Sequence, residues 1–283
     1  MKNNMVKVNM IGQIMGSTGY AIHTKSLAKA LIDLGVDVRL EGFIPPGMET
    51  QMKDWEVNAI TKPKSRDMID IAISLPHWWP LHISEKGKEM LGFVIFEGHK
   101  IPNFWIKHLE NRGVHSILAP SNHVKQAKLN TSRIFKDIHI VPHGYDPTYF
   151  SPGKSKDDEQ FTFIANLGWR GHLWDRKGAQ FLFKAFNEEF SSEEKVKLIA
   201  LINSAYVAPN FNLQAAMEQL NLRNNGGKMF LTVTSIKHEK LKESLYSKGD
   251  VFICSQMADA FNLPGIEAMA CGLPICGVTD GAM

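Results

Sequence analysis

Residues 6–40 read VKVNMIGQIMGSTGYAIHTKSLAKALIDLGVDVRL, and this stretch decides the fold. Residues 6–12 form an apolar run typical of a buried strand, and the glycines at 16 and 19 bound a tight turn. Residues 20–34 carry leucines at helical spacing, and a glycine then ends the helix before a second strand at 36–40. The stretch therefore predicts a β-α-β unit with parallel strands.

The same alternation of strands and helices continues along the chain. Further strands are predicted at 69–75, 91–96 and 115–118, with a helix opening near Ser121. Residues 151–160 are polar, include Pro152 and Gly153 and lack apolar side chains, which is typical of a linker. After it, strands are predicted at 161–165, 196–202, 229–233, 251–254 and 274–278, and helices at 179–190, 213–220, 237–246 and 264–270. We expect an α/β protein with two Rossmann-like domains, residues 1–150 and 151–283.

The amino-acid composition limits the kinds of molecule that the chain is expected to bind. The chain is 44% hydrophobic and 22% charged, as is ordinary for a soluble globular protein, and its net charge of +3 is evenly spread. We therefore expect no nucleic-acid partner, because such proteins carry a dense basic stripe. No run approaches the roughly 20 apolar residues that span a bilayer, and Asn9 and Gln13 interrupt the opening segment. A cytoplasmic location is expected.

Cysteine and histidine usage predicts no metal site, and we separately expect no cofactor. Cys254, Cys271 and Cys276 lie in apolar segments without C-x-x-C spacing, so we expect reduced, buried thiols. The eleven histidines are scattered, and no two stand at ligand spacing on one predicted helix.

Residues 259–274 read DAFNLPGIEAMACGLP and place two acids on either side of a helix start at Pro264. Backbone N–H groups around Asn262 and Leu263 suit an anionic phosphate. Glu267, one turn into the helix, and Asp259, at the loop entrance, are carboxylates that can each accept two or more hydrogen bonds. The alternative is a capping acid followed by an exposed helical Glu.

This string resembles the acidic-x7-acidic donor motif of glycosyltransferase family 4, whose members have the two-domain GT-B fold. The family usually has Glu, Phe-Gly-Leu-Pro, and a second Glu followed by Ala-Met-Ala-x-Gly-x-Pro. The resemblance implies that Glu267 accepts two hydrogen bonds from the ribose diol of the donor, that Asp259 binds sugar hydroxyls, and that donor binding extends to Phe261. Two positions depart from the motif: Asp259 is one methylene shorter than the usual Glu, and the side chain of Asn262 is expected to intrude where the family has Gly.

Residues 166–178, NLGWRGHLWDRKG, resemble the family's Gly-x-Arg followed by Lys-Gly. The resemblance implies that Arg170 and Lys177 bind the donor diphosphate. Two fixed cations can stabilise a departing nucleoside diphosphate without a metal ion, so a metal-independent enzyme is expected. Arg176 stands beside Lys177 and leaves the choice of cation pair open. The alternative is a solvated basic turn.

Three further strings lie in the first domain or at its end. The turn at Gly16 is similar to a family turn that approaches the donor phosphates, although a purely structural turn explains it as well. Residues 93–102 read FVIFEGHKIP. Many relatives have a His in this region, beside the sugar and the acceptor, and His99 is the candidate for that role. Glu97 is the alternative candidate, because relatives with Phe-Glu-Thr here lack the His. His77 is a third candidate, and for each His the alternative is a structural imidazole whose hydrogen bonds are satisfied within the protein.

Residues 141–152, VPHGYDPTYFSP, resemble the family's interdomain string. His143 stands where the family has Asn, and we interpret it as a turn residue.

Together the five strings cover about residues 12–280 in family order. They imply a retaining hexosyltransferase that moves a sugar from a nucleotide-diphosphate sugar to an unidentified glycan, lipid or small molecule. A leaving phosphate oxygen can take the acceptor's proton, so no dedicated base is required. Because family chains continue past this string, the second domain is expected to be incomplete.

Two other classes of protein are alternatives to a glycosyltransferase. One is a catalytically weak nucleotide-sugar-binding subunit that needs a complementing chain or a second copy of itself. The other is a nicotinamide oxidoreductase, which would use the Gly16 turn and Glu41. Separately, Trp78, Trp79 and the basic helix at 104–112 fit either peripheral contact with a lipid surface or a packed helix.

Overall fold

The computed structural model describes residues 5–16, 18–43, 52–78, 89–114, 116–131, 137–153 and 159–279. The chain divides into two units, Met1–Gly144 and Tyr145–Gly281. This division falls shortly before the boundary expected at residue 150. Phe150 explains the difference, because its buried ring lies 5.8 Å from that of Tyr246 in the second unit.

The first unit is a parallel sheet with helices. Its described strands lie in the order β2-β1-β3-β4-β5-β6, and every pairing between them is parallel. The strands are β1 (Lys7–Gln13), β2 (Asp37–Phe43), β3 (Ile69–Ile73), β4 (Glu89–Phe93), β5 (Ser116–Ala119) and β6 (Ile138–Ile140). The helices are α1 (Gly19–Asp33), α2 (Asp54–Thr61), α3 (Asn103–Asn111) and α4 (Asn122–Leu129), and Pro76–Trp78 forms one 3-10 turn. The strand order reverses between β1 and β3.

The opening β-α-β unit is present as predicted. Thr18 caps α1, because its side-chain oxygen accepts a hydrogen bond from the backbone N–H of Ala21. The apolar side of α1 covers a core in which Met10, Leu40 and Phe93 are buried. The sequence analysis missed α2 and the three-residue strand β6.

The second unit is also built on a parallel sheet, whose described strands have the order β11-β10-β7-β8-β9. The strands are β7 (Phe161–Leu167), β8 (Val196–Asn203), β9 (Lys228–Thr234), β10 (Val251–Cys254) and β11 (Ile275–Gly277). The helices are α5 (Ala179–Glu189), α6 (Leu213–Glu218), α7 (Leu241–Ser244) and α8 (Leu263–Ala270). The chain runs outward from β7 to β9 and then returns to the other side of β7 at β10. The boundary between β7 and β10 is a topological switch point, where α/β sheets bind ligands beyond the carboxyl ends of their strands.

The helix predicted at 237–246 is wrong as a single element. A 3-10 turn at His238–Lys240 precedes α7, and a second one at Tyr246–Lys248 follows it. Leu245 separates the last two with non-helical angles, φ −136° and ψ −62°. This break turns the ring of Tyr246 into the core, where Phe252 packs against it.

The cysteines are only partly as expected. Cys254 is buried and Cys271 is half-buried, but Cys276 is exposed on β11 at the edge of the sheet. All three are free thiols. Burial raises the pKa of Cys254 to about 11, although a hydrogen bond from Asn262 acts in the opposite direction.

None of the helices in the described part of the chain is both long and apolar enough to cross a membrane.

Candidate functional site

Two loops meet at the switch point of the second unit. Residues 168–178 leave the carboxyl end of β7, and residues 255–262 leave that of the adjacent strand β10. Lys177 closes the first loop, and its Nζ lies 2.7 Å from Oδ2 of Asp259 in the second. The side chains of Lys177 and Asp259 are 22% and 17% exposed, so water and ligands still reach the pair. The fold thus joins two of the predicted site residues across 82 positions of sequence.

Asp259 is held in its ionised form. Burial opposes ionisation, but the charge of Lys177, the hydrogen bond that Lys177 donates and the charge of Arg176 outweigh it, so the pKa of Asp259 lies below its usual value. Its other oxygen, Oδ1, accepts a hydrogen bond of 2.8 Å from the backbone N–H of Ala260. Both carboxylate oxygens therefore have fixed partners.

Asp175 organises the β7 loop, and the sequence analysis missed it. Its Oδ2 accepts from the backbone N–H of Arg170 at 2.7 Å, and its Oδ1 accepts from that of Lys177 at 3.0 Å. The side chain of Gln180 in α5 donates to its carbonyl oxygen. An Asp that bonds the backbone two residues on forms an Asx turn, so the Asp-Arg-Lys spacing was the signal.

Gly178 explains why a glycine must follow Lys177. Its φ is +71°, and a Cβ atom at this position would lie 1.9 Å from the carbonyl oxygen of Ser255. Only glycine adopts this left-handed conformation without strain and permits the approach. The hydroxyl of Ser255 also donates to the carbonyl oxygen of Lys177 at 3.3 Å. The two loops are therefore in direct backbone contact beside the ion pair.

The second cation next to Asp259 is Arg176, whose Nη1 donates to the carbonyl oxygen of Ala258 at 3.2 Å. The side chain of Arg170 is exposed and bonds to no other residue in the described ranges. The structure thus brings Lys177, Arg176 and Asp259 together and leaves Arg170 outside this contact.

Asn262 does not intrude into the loop, contrary to expectation. It caps α8 from a left-handed conformation with φ +65°, which explains the Gly usual in relatives. Its Oδ1 accepts from the N–H of Gly265 at 3.3 Å, and its Nδ2 donates to Sγ of Cys254 at 3.0 Å. The side chain is therefore folded inward. Its neighbours Phe261 and Leu263 are half-buried.

Glu267 is buried on α8, with 3% of its side chain exposed, so the alternative of an exposed helical Glu is excluded. Its Oε1 lies 2.6 Å from Nε2 of His238, and its Oε2 accepts a 2.7 Å hydrogen bond from the hydroxyl of Tyr246. A buried carboxylate requires such partners, because an unpaired charge in the interior is costly. Sequence spacing gave no sign of either partner.

Gly16 lies in the turn after β1, at the switch point of the first unit. It has a left-handed φ of +94°. The side chains of Thr18 and Gln13 brace the turn through a 2.8 Å hydrogen bond, and Gln13 also donates to the carbonyl oxygen of Met15. Ser17 lies outside the described residues. The predicted turn is therefore present, at the carboxyl end of β1, and its contact with the donor stays a prediction.

Glu97 and His99 lie in the loop after β4. The side chain of Glu97 is half-buried and that of His99 is exposed. His123 of α4 joins them: its Nε2 is 3.1 Å from the carbonyl oxygen of Glu97, and its ring packs edge-on against His99 at 5.3 Å. His123 is a further residue that sequence reasoning missed.

His77 and His143 are packed imidazoles. His77 lies among aromatic rings at 5.4 to 5.8 Å, and its pKa is lowered by burial and by His108. His143, which the sequence analysis interprets as a turn residue, is buried against the ring of His23 at 3.9 Å. Trp78 and Phe104 beside His77 are partly exposed, and Trp79 lies outside the described residues.

Glu41 does not support a nicotinamide site. It lies inside β2 instead of following it, paired with Ile11 of β1. Its carboxylate forms a 2.6 Å ion pair with Arg39 and accepts from the side chain of Asn9. Across the described ranges, no group of three or more His, Cys, Asp or Glu side chains could hold a metal ion.

The two parallel-sheet units have the fold of the GT-B glycosyltransferases. Sucrose-phosphate synthase from Thermosynechococcus elongatus superimposes with a TM-score of 0.64 at 16% identity, covering 98% of this chain and 82% of the other. The HepE protein of Anabaena, solved in complex with UDP and glucose, gives a TM-score of 0.61 at 13% identity, covering 99% and 82%.

Sequence comparison points to the same class. Residues 164–282 match the family model of the glycosyl transferases group 1, and this segment contains both loops of the switch point. A putative glycosyltransferase 45 of Sulfolobus islandicus filamentous virus is 25% identical over 238 residues, which is 82% of this chain and 61% of the viral protein. The chain spans about three fifths of the length of the curated relatives that it matches. The similarity is thus to glycosyltransferases, and the match to the family model lies in the second unit.

Proposed function

We propose that the chain is a glycosyltransferase of the family 4 type that transfers a sugar from a nucleotide-diphosphate sugar, with retention and without a metal ion. One observation carries the proposal: Lys177 and Asp259 meet at the switch point of the second unit, within the segment matched by the family model. That edge of an α/β sheet binds ligands, and a cation there suits a diphosphate.

The donor is the first part of the proposal. HepE was solved with UDP and glucose, and we propose a nucleotide sugar of the same class for this chain. The diphosphate would contact Lys177, with Arg176 or the exposed Arg170 as the second cation. Asp259 holds the Lys177 ammonium in place before the donor arrives. Once the diphosphate binds the Lys177 ammonium, Oδ2 of Asp259 is available to the sugar hydroxyls, while Oδ1 keeps its hydrogen bond from Ala260.

The reaction is the second part. The bond between the anomeric carbon and the phosphate oxygen breaks, and the bond to the acceptor oxygen forms on the same face. The acceptor's proton passes to an oxygen of the leaving diphosphate. Negative charge grows on the diphosphate during this step, so a fixed ammonium stabilises the transition state more than the bound donor. Glu97 and His99 remain candidates for contact with the acceptor.

A transfer assay tests this function. The purified chain is incubated with UDP-glucose, other nucleotide sugars and simple acceptors in EDTA, and released nucleotide and sugar products are followed by chromatography and proton NMR. We expect nucleotide release in EDTA, and a product anomer of the same configuration as the donor. An inverted product or strict dependence on added metal would contradict the retaining, metal-free mechanism. Donor binding without turnover would instead favour a nucleotide-sugar-binding subunit.

A further inference from the structure

We propose that Tyr246 and His238 are positioning residues that hold the carboxylate of Glu267 ready for a ribose diol. This inference rests on the proposed function, because it assumes that Glu267 binds the ribose of the donor. It adds two residues that come from segments outside the recognised motif.

The geometry of the carboxylate is the first step. Tyr246 contacts one oxygen of Glu267 at 2.7 Å and His238 contacts the other at 2.6 Å. A carboxylate oxygen has two acceptor positions, so one remains on each oxygen. Two acceptor positions on adjacent oxygens match the two hydroxyl donors of a ribose diol. The contacts therefore orient the group and leave its capacity for the ligand.

Tyr246 is the rigid member of the pair. Its ring is buried, with the rings of Phe150 and Phe252 each 5.8 Å away. Burial raises the pKa of its hydroxyl, and the negative charge of Glu267 raises it further, so the group stays protonated and donates. A fixed ring with a permanent donor leaves Oε2 of Glu267 one favourable position.

His238 reaches the same carboxylate from a different element. It opens the 3-10 turn that follows β9, and its ring packs against Phe150 at 4.9 Å. Its side chain is 19% exposed, whereas that of Glu267 is 3% exposed, so His238 is the more accessible partner in this contact. Together the two residues fix the last torsions of a flexible Glu before binding. Because the Glu267 side chain is already ordered, ligand binding has a smaller cost in conformational entropy, and the affinity is higher.

Matched nucleotides provide the test. Calorimetric titration measures Kd for UDP, GDP and ADP and for the 2′-deoxy form of whichever binds most tightly. The wild-type chain should prefer the ribonucleotide, because the deoxy form lacks one hydroxyl that Glu267 binds. Tyr246→Phe keeps the ring and removes the donor, so it should weaken ribonucleotide binding about tenfold. It should weaken binding of the deoxy form less, because that form presents only one hydroxyl to Glu267, so the preference for the ribonucleotide should fall toward one.

His238 supplies an independent variant that does not disturb the buried ring. His238→Ala should also reduce the preference for the ribonucleotide, and His238→Gln, which keeps an N–H donor, should restore part of it. A merely structural role would weaken both nucleotides equally. Equal losses, or an unchanged preference in both Tyr246→Phe and His238→Ala, would overturn the positioning role alone. A wild-type chain that binds none of the diphosphates would contradict the proposed function and this inference with it.

Discussion

The ion pair of Lys177 and Asp259 joins two loops that come from adjacent strands. Both side chains are partly exposed, so solvent screens their attraction and the net contribution of the pair to stability is modest. Under the proposed function its larger effect is on donor binding, because it fixes one ammonium at the carboxyl edge of the sheet, where α/β sheets bind ligands. Before the donor binds, the pair also neutralises a cation that would otherwise repel Arg176.

Glu267 and Lys177 should differ in the kinetic constant that they control. The ribose is the same in the bound donor and the transition state, so Glu267→Ala should chiefly raise KM. The diphosphate gains charge as the bond breaks, so Lys177→Ala should lower kcat about 10²-fold. Lys184→Ala, on the exposed face of α5, is the matched control and should change neither constant. An intact kcat in Lys177→Ala, with turnover abolished in Glu267→Ala at unchanged donor affinity, would reverse the assigned roles.

Asp259→Asn should make stability less dependent on pH in the acid range. The pKa of Asp259 is lowered in the folded chain, so its ionised form stabilises the fold above the unfolded pKa of about 3.9. That contribution is lost as pH falls through the lower folded pKa. Urea unfolding should therefore show the variant about 1 kcal/mol less stable than wild type near pH 7, and the difference should shrink below about pH 4. A difference that does not vary with pH would mean that Asp259 is not paired as described.

At the scale of elements, the site depends on how two loops and one helix start are built. Asp175 folds the β7 loop around its own carboxylate, and Asn262 starts α8 from a left-handed conformation. Gly178 then allows the backbone of the β10 loop to touch the end of the β7 loop. Each of these three features involves only residues that are neighbours in space, and together they bring Lys177 within hydrogen-bond distance of Asp259.

Gly178→Ala tests the contact between the loops, and Gly35→Ala is its control. Both glycines have a left-handed φ, +71° and +82°, so alanine strains the backbone in each. A Cβ at Gly35 meets nothing within 4 Å, whereas one at Gly178 would overlap the carbonyl of Ser255. Urea unfolding should show a loss of about 1 kcal/mol for Gly35→Ala and about 3 kcal/mol for Gly178→Ala. Equal losses would show that the loops are not in close contact.

For the whole molecule, the sequence predicted the architecture better than the element boundaries. The strict alternation of apolar strands and amphipathic helices is enough to predict two α/β units. Three-residue β6 is too short to show a periodicity, and α2 is only eight residues long and buries the charged Glu56 beside Ala59, which obscures its apolar face. The break at Leu245 depends on tertiary packing of Tyr246, which overrides the helical pattern around it.

The contacts within the candidate site also could be predicted only in part from the sequence. Lys177, Asp259 and Glu267 could be predicted as site residues because each stands in a recognisable string. Their partners could not, since His238 is 29 residues from Glu267 and Tyr246 is 21 residues away, in segments with no motif of their own. Contacts of this kind depend on the order of strands in the sheet. Spacing within one segment therefore cannot reveal them.

The most direct test of the central claim is a calorimetric titration of the intact chain with UDP, GDP and ADP in EDTA. The account predicts one saturable site for at least one of these nucleotides, with equal affinity in wild type and Lys184→Ala. In Glu267→Ala the affinity should fall by about tenfold or more. Failure of the wild-type chain to bind any of the three, or binding that Glu267→Ala leaves unchanged, would contradict a nucleotide-sugar site at the switch point of the second unit.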